Sequence, residues 1–226
     1  MLTRILEPEV MDTAAEALDY NQMDHGDVNR LFVDDFLVAL KFGNPPTGRQ
    51  RHLFDAGTGT ALIPIELLRR DVNVFVTASD LAEQMLVVAR QNVNEAKLDR
   101  MINLVSRDCK CLPEADGTYD AVMSNSIIHH IPDPRQVLRE LWRVVRPGGI
   151  LFVRDLMRPQ SSEQLERLVG TYAGHANPHQ QRMFRESLYA ALTVEEVQAW
   201  VNGLGLAPEF VKSTSDRHWT LQAIHP

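Results

Sequence analysis

The nine residues Leu53-Phe54-Asp55-Ala56-Gly57-Thr58-Gly59-Thr60-Ala61 limit what this chain can fold into more than any other stretch. An apolar pair runs into an acid, two glycines alternate with threonines, and Leu62-Ile63-Pro64-Ile65-Glu66-Leu67-Leu68 continues at helical spacing. That order reads as strand, tight loop, helix. Glycine suits such a loop because it takes positive φ freely and lets a ligand lie against bare backbone. The helix that follows begins with unpaired N–H groups.

One Gly-rich turn is a weak signal by itself, but the next segments repeat its logic. Val72-Asn73-Val74-Phe75-Val76-Thr77-Ala78-Ser79-Asp80 is a β-branched run that also ends in an acid. Doubly wound nucleotide-binding folds hold ribose hydroxyls with an acid at that place. The dinucleotide pattern G-x-G-x-x-G is not completed, because Leu62 stands where the third glycine belongs. Asp55, ahead of the first glycine, suits a cationic ligand better than a pyrophosphate. This points away from NAD and toward a sulfonium nucleoside.

Met101-Ile102-Asn103-Leu104-Val105 reads as a third strand, followed by Asp108 and Cys109. Ligands of open parallel sheets sit beyond the carboxyl ends of the strands. Asp55, Asp80 and Asp108 would repel one another there unless a cationic, hydroxyl-bearing ligand satisfied them. Asp80 has a structural alternative as a helix cap completed by Glu83. Met85, on the apolar face of the following helix with Ala89, Val93 and Ala96, reads as core.

Tyr119–Ser124 makes a fourth strand that ends in Asn125, with His129 and His130 just beyond. Paired histidines at a strand end can act as general base or position a substrate; equally, one packs and the other hydrogen-bonds. No metal is expected, since adjacent residues seldom converge on one ion and no Cys or His cluster lies nearby in sequence. Arg135–Arg146 reads as an amphipathic helix stopped by Pro147-Gly148-Gly149, with its arginines on a solvated face. Ile150–Val153 is a fifth strand. Arg154, Asp155 and Arg158 follow it, placed to meet an anionic substrate or to pair with each other.

Residues 9–42 read as helical, with Val28, Leu31, Phe32, Phe36, Ala39 and Leu40 on one apolar face. Tyr20 and His25 fall in a polar break between two helical stretches, so this segment is either a cap over the site or a surface turn. Asn44-Pro45-Pro46 is a linker. Residues 161–192 form a two-helix insertion broken near Gly174–Pro178, with capping boxes expected at Ser161/Gln164 and Thr193/Glu196. Pro208–Lys212 and His218–Ile224 read as the two strands of an antiparallel hairpin.

The chain has 226 residues, of which 44% are hydrophobic, enough for one α/β domain with a substantial core. No apolar run approaches the roughly 20 residues of a membrane span, and the start carries no export signal. With Cys109 and Cys111 as the two cysteines, a reducing, cytoplasmic setting is expected. A net charge of −7 disfavours nucleic acid as partner.

D-x-G-x-G after the first strand, acids after the second and third, Asn and His-His after the fourth, Pro-Gly-Gly, a fifth strand and a closing hairpin together resemble the class I S-adenosylmethionine-dependent methyltransferases. The small-molecule group similar to the ubiquinone/menaquinone biosynthesis methyltransferases is the nearest likeness, carried by residues 50–156. The resemblance implies a Rossmann-like, doubly wound, mostly parallel seven-stranded sheet with a C-terminal antiparallel hairpin and an N-terminal helical cap. One domain is expected, with the cap at 1–48, the cofactor core at 49–156, the insertion at 157–192 and the last helix and hairpin at 193–226.

By the same resemblance S-adenosyl-L-methionine is the cofactor. Asp55, Ala56, Gly57, Thr58 and Gly59 would line its methionine part, with Asn125 behind it. Asp80 would hold the ribose hydroxyls and Asp108 with Cys109 would meet the adenine, with Leu81 and Met85 also among the cofactor-binding residues. Ala61 departs from the third glycine of many members. The implied reaction moves a methyl group to an O, N or C nucleophile of a small molecule, with His129, His130, His25 and Tyr20 as candidates to touch it. A non-catalytic binding module would retain the same cofactor residues; an NAD-dependent oxidoreductase fits less well.

Overall fold

The computed structural model describes residues 2–10, 12–23, 26–70 and 73–226. In chain order the elements are α1 (Ala14–Gln22), α2 (Gly26–Leu40), β1 (Arg51–Ala56), α3 (Leu62–Leu68), β2 (Val74–Asp80), α4 (Glu83–Glu95), β3 (Ile102–Ser106) and β4 (Tyr119–Asn125). A 3-10 turn at Ile128–His130 precedes α5 (Pro134–Arg143), β5 (Val145–Leu156), α6 (Ser162–Tyr172), α7 (Pro178–Ala190), α8 (Val194–Asn202), β6 (Val211–Ser213) and β7 (His218–Ile224). The seven strands form one sheet in the order β3-β2-β1-β4-β5-β7-β6. β1 pairs in parallel with β2 and β4, β2 in parallel with β3, and β6 antiparallel with β7. This is the doubly wound, mostly parallel fold with a terminal hairpin that the sequence implied. None of the described helices is long and apolar enough to cross a membrane.

The chain packs as two compact units. The larger comprises the described residues of Val10–Asn125, Gln136–Val153 and Gln222–Pro226, and the smaller those of Met1–Glu9, Ser126–Arg135 and Arg154–Leu221. In the larger unit Phe32, Val33, Phe36, Ala39 and Leu40 of α2 join Leu53, Val76, Ala121, Met123 and Phe152 in one buried cluster. Leu31, expected on that face, is 56% exposed, while Val33 takes its place; the sequence spacing permits either stripe, and only packing chooses. In the smaller unit Leu165, Leu168 and Val169 of α6 pack with Leu156, Leu188 and Ala191.

Several local expectations need correction. α5 ends at Arg143, and Pro147-Gly148-Gly149 lies inside β5 instead of stopping the helix. Backbone pairing explains this: Asn44 donates to the Gly148 carbonyl, and Gly148 donates to that of His225. A Cβ on Gly149 would come within 2.8 Å of the Arg146 and Asp120 carbonyls. Arg143 is not a solvated residue either. It donates to Glu140, Asp116 and the Glu114 and Leu112 carbonyls, and Arg146 donates to Asp120.

Pro208–Phe210 is a 3-10 turn, so β6 holds only three residues. Thr193 and Glu196 form the expected capping box. Ser161 accepts from the Gln164 N–H, but Gln164 accepts in turn from Gln160. Further boxes stand at Thr13/Glu16 and Asn177/Gln180.

Candidate functional site

Register places the strand-end residues of the larger unit in one row. Ala56 at the end of β1 lies opposite Ser79 on one side and Ser124 on the other. Asp80 and Asn125 therefore flank the start of the Gly57–Gly59 loop, and Asp80 in turn lies opposite Ser106 of β3. Gly57 (φ 70°) and Gly59 (φ 56°) take the left-handed conformation, which costs a glycine little. Ala61 takes it too, at φ 63°, as the residue before α3.

Asp80 joins the loop to β2. Its Oδ2 accepts from the Gly59 N–H at 2.8 Å and its Oδ1 from the Ala82 N–H at 2.9 Å. The expected capping box with Glu83 does not form, since Ala82 is the residue before α4 and offers no side-chain cap. Burial holds the Asp80 carboxyl above its usual range, against the backbone donors that lower it. Asp55 is 2% exposed and is pushed up to about 7 by burial, offset in part by the nearby Thr58 hydroxyl and reinforced by Asp80. That hydroxyl approaches Asp55 outside hydrogen-bonding geometry: Asp55 Oδ2 and Thr58 Oγ1, like Thr60 Oγ1 and Asn125 Oδ1, are buried without a hydrogen-bond partner. Buried polar atoms are normally satisfied, so these four at the glycine-loop end of the sheet, three on β1 and its loop and one at the end of β4, form an incomplete polar lining.

Tyr20 of α1 reaches the same place. A Cβ on Gly59 would meet its ring at 3.5 Å. Burial, with the charges of Asp80 and Asp55, raises its phenol to about 12. The hydroxyl therefore keeps its proton at neutral pH. Cys109 is buried with its Sγ 3.9 Å from Ser79 Oγ, and burial pushes its thiol up to about 12. Asp108 accepts from the Lys110 N–H and pairs with its ammonium. Met85 packs with Ala17, Ala82 and Val88, as core, while Leu81 is 40% exposed. Thr60 and Ser79 carry no motif letter and were missed; only their place in the loop and at the strand end could have signalled them. His25 lies outside the described residues.

The smaller unit gathers a second cluster. His129 donates through Nδ1 to Asp155 Oδ1 at 2.5 Å, and the other Asp155 oxygen accepts from the Ile128 and His129 N–H groups. Glu7, far away in sequence, places Oε1 3.4 Å from His129 Nε2 and 3.1 Å from His130 Nδ1. Burial opposes charge on His129, but Asp155 and Glu7 outweigh it and raise the imidazole above its usual range. Burial and the adjacent His129 lower His130 to about 3. No metal was expected at the histidine pair from sequence, yet the donor atoms of Glu7, His129 and His130 all lie within 4.8 Å of one another. Arg154 and Arg158 do not pair with Asp155; they donate to Thr220 and to Glu196 with the Ala191 carbonyl.

The strand order, the glycine loop and the row of strand-end acids define a Rossmann-like fold of the methyltransferase type. Residues 54–153 match the family described as a methyltransferase domain, the same stretch that carries the resemblance read from the motifs. Among curated proteins, the chain is 28% identical over 163 residues to 27-O-demethylrifamycin SV methyltransferase of Amycolatopsis mediterranei, covering 72% of this chain and 56% of that one. It is 27% identical over 154 residues to the ubiquinone/menaquinone biosynthesis C-methyltransferase UbiE of Geotalea daltonii, covering 67% and 63%. The chain thus spans less than two thirds of the length of either relative. Among solved structures, a Methanococcus maripaludis protein described as a candidate S-adenosyl-L-methionine-dependent methyltransferase shares the fold with a TM-score of 0.72 at 17% identity, over 98% of this chain and 96% of that one.

Proposed function

We propose that the chain is an S-adenosyl-L-methionine-dependent methyltransferase that moves a methyl group to an O, N or C nucleophile of a small molecule. The observation that carries this reading is the set of buried, unpartnered acceptors Asp55 Oδ2, Thr58 Oγ1, Thr60 Oγ1 and Asn125 Oδ1 around the glycine loop. A ligand bearing an amine and ribose hydroxyls supplies the donors they lack, so the residues fit this cofactor. Asp55, Ala56, Gly57, Thr58, Gly59 and Asn125 would hold its methionine end. Asp80, with lone pairs left beyond its two backbone bonds, would hold the ribose beside Leu81, and Asp108 and Cys109 the adenine. An ionised Asp55 beside a cationic ligand would no longer stand near 7, because the opposite charge favours the carboxylate.

When bound, the cofactor would supply an electrophilic methyl group on a sulfonium sulfur, a leaving group that ends uncharged. The protein's own task is then alignment and exclusion of water, worth about 7–11 kcal/mol of such a barrier. Tyr20, a neutral phenol against the loop, is the side chain best placed to orient an acceptor by hydrogen bonding. The whole chain would serve as one methyltransferase domain in a reducing compartment. Calorimetry with S-adenosylhomocysteine and with NAD, on the wild type, Asp80→Asn and Asn125→Ala, tests the reading. Wild-type binding of the first, weakened in both variants, with no NAD response, supports it; a folded wild type that binds NAD or neither ligand overturns it.

A further inference from the structure

We propose that Glu7, His129 and His130 form a binding site for a divalent transition metal of the zinc class, separate from the nucleoside site and resting on no assumption about it. The geometry of the donors is the first argument. With bonds of about 2.0–2.1 Å, two ligands of a tetrahedral zinc lie roughly 3.3 Å apart. Glu7 Oε1 stands 3.4 Å from His129 Nε2 and 3.1 Å from His130 Nδ1.

The second argument is what each ring nitrogen does. A ligating imidazole gives its other N–H to a carboxylate or carbonyl, which fixes the tautomer and aims a lone pair at the ion. His129 uses Nδ1 toward Asp155, leaving Nε2 toward Glu7. His130 Nδ1 has no hydrogen-bond partner and stands 3.1 Å from the same Glu7 oxygen. His129 thus has an outer anchor, and a nitrogen of each ring stands within 3.4 Å of the same carboxylate oxygen. Glu7 Oε1 and His130 Nδ1 are buried, 3.1 Å apart, and neither is hydrogen-bonded. With His130 in the tautomer protonated at Nε2, its Nδ1 lone pair faces the Glu7 carboxylate, and a cation between them satisfies both.

The third argument is rigidity. Arg4 donates to the carbonyls of His129, Ile131, Pro132 and Ala190, and Ile5 donates to Tyr189. These bonds hold the segment that presents Glu7, whose Oε1 stands at ligand spacing from both imidazoles, and all three donors lie within 4.8 Å of one another. Two imidazoles and one carboxylate leave a fourth tetrahedral position for water or an exogenous ligand. The side chains of Glu7 and His130 are 11% and 19% exposed, which gives an ion a way in.

The test uses the full chain stripped with a chelator and titrated with Zn2+ against a competing indicator. One equivalent is expected to bind, with affinity at least about 10-fold lower in Glu7→Gln and His130→Asn, and about 10–100-fold lower in Asp155→Asn. Cys111→Ser, at the exposed cysteine, should bind as the wild type does, and zinc should raise the melting temperature of both. X-ray absorption on the zinc-loaded wild type needs no variant to fold: a shell of two imidazoles plus oxygen supports the site. A sulfur-containing or all-water shell, substoichiometric binding, or undiminished affinity in folded Glu7→Gln and His130→Asn overturns it.

Discussion

At the scale of single residues, the candidate cofactor site is a balance between function and stability. Asp55 in the ligand-free protein holds its proton to about pH 7, whereas an unfolded aspartate releases it near 4. The native state therefore binds the proton more tightly than the unfolded chain, so this group's contribution to stability is greatest below about pH 4 and is lost as pH rises through 7. Asp55→Asn should make the ligand-free protein more stable than wild type at pH 8, by about 2–4 kcal/mol, with the gap closing toward pH 4, while weakening S-adenosylhomocysteine. Denaturant unfolding at the two pH values measures this. Ala61 tests the loop. A left-handed alanine costs about 1–2 kcal/mol, and its methyl is fully buried, so relief and lost packing nearly cancel in Ala61→Gly. Ala61→Val has no such offset, because a β-branched side chain at positive φ is strained; it should lose about 2 kcal/mol or more in the same assay, against less than about 1 for the glycine.

Among the secondary-structure elements, a buried acid with partly exposed arginine partners ties strands together where no hydrophobic pattern advertises it. Asp120 at the start of β4 is 4% exposed. It accepts from Arg49 at 2.6 and 2.9 Å, from Arg146 at 2.5 Å and from the His52 N–H at 2.7 Å. Burial raises its carboxyl, but Arg49, the His52 amide and Arg146 outweigh that and hold it below its usual range. Stability from this group is fully present above the unfolded value near 4 and is lost as pH falls through the lower folded one. Asp120→Ala leaves two guanidinium groups without their shared acid and should cost about 3 kcal/mol at neutral pH, read as a lower denaturation midpoint. In the sequence Arg146 looked like part of a solvated helix face. Its helix is shorter than its periodicity suggested, because Pro147-Gly148-Gly149 carries strand pairing close to backbone that no side chain could share.

For the whole molecule, ligand effects can be read by hydrogen exchange. S-adenosylhomocysteine should slow exchange of the Gly59 and Ala82 amides, which already donate to Asp80, and zinc should slow that of Ile128 and His129, which donate to Asp155. Failure of the nucleoside to protect Gly59 and Ala82 would speak against its proposed position on the glycine loop. The sequence alone determined the order of strands and helices, the glycine loop, the acids at the strand ends and the capping box at Thr193/Glu196. All of these are local: period-2 and period-3.6 patterns and short spacings express backbone preferences that act over a few residues. The tertiary structure alone decided that Val33 and not Leu31 is buried, that Tyr20 lies on Gly59, that Asp120 gathers two arginines, and that Glu7 stands between two histidines. Each depends on residues far apart in the chain being brought within a few ångströms, and no local pattern encodes which distant atom will be there.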